Sequence, residues 1–270
     1  MAAMTTVLSE RITPAVTLLT LNRPDRLNAM THELVADLHT ALEGVRNDRE
    51  CRVAILTGAG RGFCAGLDLG GAGPAPNAEG WGQVGSGMKT QQHIAKLIPH
   101  MRALPQPIIA AVNGPAAGGG LALALGSDVR VAATSAKFNV AFVRIGLSGC
   151  DIGVSWLLPR LVGASKAFEL MLTGRLIDAA EAEAIGLVSR VVPDGSVVDA
   201  ALEIAELIAA NSPFGVWMTK EVMWSNLETG SLQAAIDLEN RTQILSSMTG
   251  DMREAVSAFF EKRPAEFKHG

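Results

Sequence analysis

Short apolar runs alternate with glycine-rich turns over the first half of the chain. Three of these runs, Val16–Leu21, residues 53–57 and Ile108–Val112, have the length of buried strands. Between the first two, one face of a predicted helix is marked by apolar residues at helical spacing: Leu34, Leu38, Leu42 and Val45. Thr31 precedes that helix and is its predicted N-cap. The pattern indicates an α/β chain in which helices pack on sheets.

Two further features divide the chain. Residues 70–87 are rich in Gly, Ala and Pro without periodicity and are predicted to form a loop, which a helix over residues 91–104 follows. From Ser165 onward the pattern is helical, and Asp178-x-x-Glu181 has the spacing of a capping box. We therefore predict an α/β core over residues 1–200 and a helical region over residues 201–270.

The composition excludes several classes of protein. The 270 residues carry a formal net charge of −4 with no basic stripe, so nucleic acid is not an expected partner. No apolar run is long enough to span a bilayer and the N-terminus has no signal-peptide pattern, so no membrane association is expected. The three cysteines are widely spaced and form no Cys/His cluster, which favours a reduced, cytoplasmic protein without a metal site.

Two glycine-rich segments carry the strongest chemical signal. Residues 58–69 and 113–120 each follow a predicted strand, and glycine is needed where a ligand approaches the backbone closely. The second segment precedes a predicted helix, whose first N–H groups have no partner within the helix and could hold a developing oxyanion. A dinucleotide-binding turn is excluded, because the first segment reads GxGxGF and no helix is predicted directly after it.

Three motifs occur in order along the chain. They are Asn22-Arg23-Pro24 with Leu27-Asn28-Ala29, then Gly62-Phe63-Cys64-Ala65-Gly66-Leu67-Asp68-Leu69, then Val112-Asn113-Gly114 with Gly118-Gly119-Gly120. These motifs resemble those of the crotonase superfamily, the enoyl-CoA hydratase/isomerase family, and the resemblance covers nearly the whole chain. It implies a spiral of β-β-α turns and a C-terminal helical region that forms homotrimers or dimers of trimers. It also implies an acyl-CoA substrate and no separate cofactor, since coenzyme A is part of that substrate.

The same resemblance implies the site residues by position. The backbone N–H groups of Leu67 and Gly119 match the family's oxyanion hole, where loss of one donor typically costs about 2.7–4 kcal/mol of transition-state stabilisation. The other candidates would contact the acyl-CoA: Arg26, Leu27, Ala65, Asp68, Leu69 and Phe142, with Phe259 and Lys262 reaching the nucleotide, often from a neighbouring subunit.

The chain departs from the family's hydratases at both catalytic glutamates. One of them follows the triple glycine by two residues, where this chain has Ala122, and the other falls at the pair Ala141-Phe142. Asp151 is nearby, and it resembles an aspartate of the family's dienoyl-CoA isomerases if one residue is inserted. Asp151 is therefore a candidate acid or base. Alternatively, it caps the helix that is predicted to follow it.

Three functions remain open on the sequence alone. The favoured hypothesis is an enzyme that moves protons or water on an enoyl-CoA, as an isomerase or a hydratase. A thioester hydrolase or lyase could use the same oxyanion hole, with water delivered by Asp151. A non-catalytic acyl-CoA-binding protein could have kept the fold without the acids, because fold alone does not decide function.

Overall fold

The computed structural model, which describes residues 5–72 and 76–268, contains two sheets. The larger one has six strands in the spatial order β1 (Val7–Thr13), β2 (Val16–Leu21), β3 (Val53–Gly58), β4 (Ile108–Val112), β6 (Val129–Ala133) and β9 (Arg190–Val192). The smaller one has three strands: β5 (Ala116–Ala117), β7 (Lys137–Asn139) and β8 (Ile177–Asp178). In the larger sheet β1 and β2 are antiparallel, and the other pairs are parallel.

Helices connect and cover these strands. In chain order the α-helices are α1 (His32–Asn47), α2 (Gln83–Ala95), α3 (Leu97–Arg102), α4 (Gly119–Gly126), α5 (Val154–Val162), α6 (Ala164–Thr173), α7 (Ala179–Ala184), α8 (Val197–Ala209), α9 (Pro213–Asn226), α10 (Leu232–Ser247) and α11 (Gly250–Glu261). Short 3₁₀ turns occur at Pro24–Arg26 and Ala141–Ile145.

The central strands are buried on both faces of the sheet. Every residue of β3 and β4 is buried, which explains their continuous apolar sequence. Successive residues of β3 point to opposite faces. Ala54 and Leu56 pack in one apolar cluster with α1, α3 and α4, whereas Val53 and Ile55 pack in another with α8. The sheet therefore lies between two apolar layers.

The strands and the first helix that the apolar pattern predicts are confirmed. β2 and β4 have the predicted bounds, and β3 extends one residue further than predicted. Thr31 is the N-cap of α1, because its Oγ1 accepts a hydrogen bond from the N–H of Leu34 at 3.2 Å. Asp178 caps α7 by accepting from the N–H of Glu181 at 2.8 Å.

Three predicted boundaries need correction. The predicted loop over residues 70–87 is too long, because α2 already begins at Gln83, and the helix predicted over residues 91–104 is divided between α2 and α3. The sequence does not indicate where α2 begins, because Ile94 is the one buried residue of this helix and its apolar periodicity is therefore weak. The predicted junction at residue 200 falls inside α8, which packs on the sheet. The core therefore continues to the end of α8.

A buried ion pair fastens α9 to the core. Lys220 Nζ lies 2.9 Å from Asp128 Oδ2, and it donates to the carbonyl oxygens of Met101 at 3.1 Å and Gln106 at 2.9 Å. Trp224 Nε1 donates to the other carboxylate oxygen of Asp128 at 2.8 Å. Burial lowers the pKa of Lys220, while the attraction of Asp128 opposes that change. These contacts give Asp128 a structural role.

The last two helices present apolar side chains on their surface. On α10 and α11 the exposed ones include Ile244, Leu245, Met252, Val256, Phe259 and Phe260. Large apolar patches on a surface commonly mark protein contacts. Trimer formation through this region stays a prediction. No helix within residues 5–72 and 76–268 is both long and apolar enough to cross a membrane.

Four histidines line the contact between α1 and the pair α2–α3. The rings of His39 and His100 stack with centroids 5.0 Å apart and Nδ1 atoms 2.7 Å apart. The His93 ring lies 5.5 Å from that of His32 and 6.1 Å from that of His39. Burial lowers the pKa of His32 and of His39, and the neighbouring histidines lower both further. Glu43 Oε1 lies 2.8 Å from His100 Nε2 at one end of this histidine stack.

We expect the histidine stack to weaken the fold in acid. The pKa of His39 is about 6.5 in the unfolded chain and lower in the fold, so the unfolded state binds more protons as pH falls through about 6.5. The free energy of unfolding should therefore fall there. His39→Gln should flatten the dependence of Tm on pH between about pH 8 and about pH 5.5.

The matched control for this test is Thr40→Gln, at an exposed position beside His39 on α1. It should keep the native slope of Tm against pH. If His39→Gln keeps that slope as well, the histidine stack does not contribute to acid sensitivity.

Candidate active site

Two loops meet beyond the carboxyl ends of the neighbouring strands β3 and β4. They contain the two glycine-rich segments, and a bridge joins Cys64 of the first to Ala116 of the second. The N–H of Ala117 donates to the carbonyl oxygen of Cys64 at 3.0 Å, and the N–H of Cys64 donates to the carbonyl oxygen of Pro115 at 3.1 Å. The backbones of the two segments are therefore fixed against each other.

The loops approach so closely that side chains are excluded at their contact. Gly66 has a φ of +94°, and a Cβ there would lie 2.8 Å from the carbonyl oxygen of Ala117 and 3.4 Å from the nitrogen of Gly119. A Cβ on Gly120 would overlap the carbonyl oxygen of Cys64. Glycine is required here both for the positive φ and for the close approach of the two backbones.

The backbone N–H groups of Leu67 and Gly119 are available at this contact. The backbone groups on either side of Leu67 are hydrogen-bonded to Met30. The carbonyl oxygen of Gly66 accepts from the N–H of Met30 at 2.7 Å, and the N–H of Asp68 donates to the carbonyl oxygen of Met30 at 2.9 Å. Gly119 begins α4, so its N–H has no acceptor inside the helix. Within the described residues neither N–H has a protein acceptor. Both can therefore donate to a bound oxygen atom.

Apolar side chains stand beside these two donors. Met30 and Ile152 both reach the place where a Cβ on Gly119 would be, and Ile152 Cδ1 lies 3.3 Å from that point. The Phe142 ring lies 3.4 Å from the corresponding point of Gly118. Phe142 thus lies next to the donors, and its contact with substrate stays a prediction. Low polarity around the donors strengthens their interaction with negative charge.

Asp151 adjoins this apolar wall, because it directly precedes Ile152. The aspartate is half-buried, and its Oδ1 accepts hydrogen bonds from the N–H of Ile152 at 2.8 Å and from Nε2 of Gln91. The N-cap of α5 is Gly153, and no side chain caps that helix. The interpretation of Asp151 as a helix cap is therefore wrong. A role as acid or base remains.

Apolar residues, Ala122 and Phe142, occupy the places that the resemblance compares with the hydratase glutamates. Ala122 is buried in the first turn of α4, where its N–H donates to the carbonyl of Gly118 at 3.0 Å. Phe142, the second residue of the pair Ala141-Phe142, is buried in the 3₁₀ turn that begins at Ala141. Neither position supplies a group that can take or give a proton, which leaves Asp151 as the candidate acid or base.

The predicted CoA-binding residues Leu27, Ala65 and Asp68 hold two chain segments together. Leu27 has a φ of +48°, and its carbonyl oxygen accepts from the N–H of Ala65 at 2.9 Å. Asp68 Oδ2 accepts from Arg23 Nη2 at 2.9 Å, and this hydrogen bond holds the pKa of the Asp68 carboxyl below its usual value. Asp68 therefore fixes the loop. Arg23 was missed as a site residue, although it stands in the first motif.

The remaining predicted CoA contacts are at the surface. Arg26 is exposed, and Leu69 is 71% exposed beside the first loop. Phe259 is 78% exposed at the end of α11, with its ring 5.7 Å from that of Phe260, and Lys262 is exposed just beyond that helix. The contact of Phe259 and Lys262 with a nucleotide stays a prediction.

Neither a cysteine nucleophile nor a metal ion is supported at this site. Burial raises the pKa of the Cys64 thiol to about 12, so that thiol stays protonated near neutral pH and is a poor nucleophile. In the part of the chain that the structure describes, no group of three or more His, Cys, Asp or Glu side chains is placed to hold a metal ion.

Comparisons with known proteins agree with this geometry. A family model described as enoyl-CoA hydratase/isomerase matches residues 11–270. A protein of Mycobacterium tuberculosis named as a probable enoyl-CoA hydratase is 45% identical over 262 residues, which are 97% of this chain and 92% of that protein. The 1,2-epoxyphenylacetyl-CoA isomerase of Escherichia coli is 42% identical over 254 residues, 92% of this chain and 93% of that protein.

A solved structure is similar over the same range. It is described as a probable enoyl-CoA hydratase/isomerase from Mycobacterium abscessus, and it superposes with a TM-score of 0.91. Its sequence is 41% identical, and the match covers 98% of this chain and 99% of that chain. The predicted fold class, a spiral α/β core with a C-terminal helical region, is thereby confirmed.

We expect Gly120→Ala to destabilise the fold through the loop contact. Its Cβ would overlap the carbonyl oxygen of Cys64, a backbone atom that cannot rotate away. The free energy of unfolding should fall by about 1–3 kcal/mol, measured by denaturant titration. Gly87→Ala is the control, because a Cβ there meets nothing within 4 Å on exposed α2. An equal effect of the two changes would contradict the close approach of the loops.

Proposed function

Because the chain belongs to the enoyl-CoA hydratase/isomerase family, we propose that it is an isomerase that moves a proton within an unsaturated acyl-CoA thioester. One observation carries this proposal. The free N–H groups of Leu67 and Gly119 lie beside an apolar wall that adjoins the Asp151 carboxylate, while Ala122 and Phe142 stand where the hydratases have glutamates. The family includes relatives named as isomerases as well as relatives named as hydratases, so isomerisation is within its range.

The thioester oxygen would lie between the N–H groups of Leu67 and Gly119. When the Asp151 carboxylate removes a proton from a carbon next to the thioester, the electron pair of that C–H bond moves toward the thioester oxygen. The resulting enolate carries its negative charge on the oxygen, where the two N–H groups stabilise it. Because both donors are backbone groups that are already in place, little reorganisation is needed in this step.

The protonated Asp151 would then return its proton to a different carbon. The electron pair flows back from the oxygen, the double bond moves along the acyl chain, and the carboxylate is regenerated. One carboxylate suffices for this shuttle, since it acts first as base and then as acid. Hydration, in the family's pattern, uses two glutamates to activate water and to protonate carbon. Ala122 and Phe142, at the two corresponding positions, cannot supply either step.

Coenzyme A would be held mainly by backbone groups near the first glycine-rich segment. The backbones of Leu27 and Ala65 are hydrogen-bonded to each other there, and the Asp68 side chain is fixed by a hydrogen bond from Arg23. Arg26 is exposed beside them and could bind a phosphate as a cation. We also propose that Phe259 and Lys262 contact the nucleotide of another copy in a homotrimer or dimer of trimers: both are exposed, on a region with an apolar surface.

We expect Asp151→Asn to abolish most isomerisation. The amide cannot take up the proton, so kcat/KM for conversion of a 3-enoyl-CoA to its 2-enoyl isomer should fall about 10²- to 10⁴-fold. Formation of the conjugated thioester is followed by absorbance, with mass analysis of the product. Asp199→Asn is the control: it makes the same change at an exposed carboxylate on α8, across the sheet from the site.

Full activity of Asp151→Asn would refute the proposed mechanism. Product analysis separates the other functions. Rapid formation of 3-hydroxybutyryl-CoA from crotonyl-CoA would identify a hydratase, and release of free coenzyme A would identify a hydrolase. Tight binding of acyl-CoA without any turnover would identify a binding protein.

A second test concerns the backbone donor at Leu67. Leu67→Pro removes an N–H that has no acceptor among the described residues, so no hydrogen bond seen in the structure is lost, yet kcat/KM should fall about 10²- to 10³-fold. Leu67→Ala keeps the N–H and should keep most of the activity. Equal losses in the two variants would mean that the side chain, and not the backbone donor, matters.

A further inference from the structure

The side chain of Gln91 reaches the candidate acid from a different part of the chain. Gln91 stands on α2, and its Nε2 donates a hydrogen bond to Oδ1 of Asp151. We infer that Gln91 is a positioning residue, which fixes the Asp151 carboxylate so that its second oxygen, Oδ2, serves the substrate. This inference rests on the function proposed above, in which Asp151 moves the proton.

Both hydrogen bonds to the Asp151 side chain end on the same oxygen. The N–H of Ile152 donates to Oδ1 at 2.8 Å, and Gln91 Nε2 donates to Oδ1 as well. In the described part of the chain no protein donor is bonded to Oδ2. Two donors on one oxygen oppose rotation of the carboxylate about its Cβ–Cγ bond. The free oxygen then keeps one orientation, as a proton carrier must.

The donor next to Asp151 in sequence is itself fixed. Ile152 has a φ of +46° and Gly153 a φ of +78°, so two successive left-handed residues form the turn before α5. A positive φ is a genuine outlier for a β-branched residue and is retained only where the surroundings enforce it. This turn directs the N–H of Ile152 to the carboxylate that precedes it. Gln91 supplies the second, external point of attachment.

The position of Gln91 depends on how α2 is held to the core. Ile94 is buried in the apolar core, and His93 Nε2 lies 3.4 Å from the carbonyl oxygen of His32 on α1. These contacts fasten the helix while Gln91 remains on its exposed face. An amide suits this task, because it donates to an ionised carboxylate at any pH without adding charge next to it.

The test compares Gln91→Ala, Gln91→Glu and the control Gln92→Ala. Gln91→Ala should lower kcat about 10- to 100-fold, the usual strength of a hydrogen bond to a charged group, with KM nearly unchanged. Gln91→Glu should move the acidic limb of the pH–rate profile upward by about one pH unit, because a second carboxylate opposes ionisation of Asp151. Gln92→Ala changes a neighbouring exposed residue and should leave kcat and the pH profile unchanged.

The outcomes separate this inference from the proposed function. If Asp151→Asn is inactive while Gln91→Ala matches Gln92→Ala, Gln91 does not position the acid and the inference fails alone. If Asp151→Asn is fully active, both fail. A fall in Tm together with a rise in KM for Gln91→Ala would indicate a merely structural role and would overturn the inference. In the Asp151→Asn background, Gln91→Ala should cause no further loss, and an added loss would also overturn it.

Discussion

The distance between two backbone segments, one after β3 and one after β4, constrains the rest of the structure. At their contact the carbonyl oxygens and amide nitrogens lie where a side chain would otherwise be, which is why Gly66 and Gly120 have no tolerable alternative. Parallel pairing of β3 with β4 brings the segments together. The two apolar layers around the sheet stabilise that pairing, so the packing of the large core also holds the two backbone segments in contact.

In the proposed mechanism, this arrangement separates two chemical tasks. Charge stabilisation rests on backbone groups, so it does not depend on which side chain stands at Leu67. Proton transfer rests on a side chain, so it can change with one substitution. Ala122 and Asp151 would illustrate the second case, because the proposed mechanism combines the same pair of N–H donors with a different acid from that of the hydratases. Membership of the family therefore indicates that a thioester is polarised, but it does not determine which reaction follows.

The sequence predicts those features that depend on neighbours along the chain. Buried strands, the caps at Thr31 and Asp178 and the glycine-rich motifs all have local signals, and all are present in the structure. Contacts between distant segments have no such signal. The bonds of Arg23 to Asp68 and of Gln91 to Asp151 join residues 45 and 60 positions apart. The alternative of a helix cap at Asp151 failed for a local reason, since a left-handed turn at Ile152 moves the start of α5 to Gly153.

The left-handed Ile152 also bears on how far this protein could be stabilised. Such a conformation costs on the order of 1–3 kcal/mol for a residue other than glycine, and glycine at that position would be relieved of most of it. A search for heat-resistant variants would tend to select that replacement. It would also remove the side chain that reaches Gly119 and loosen the turn that holds Asp151. Thermostability and turnover are thus expected to compete at this one position.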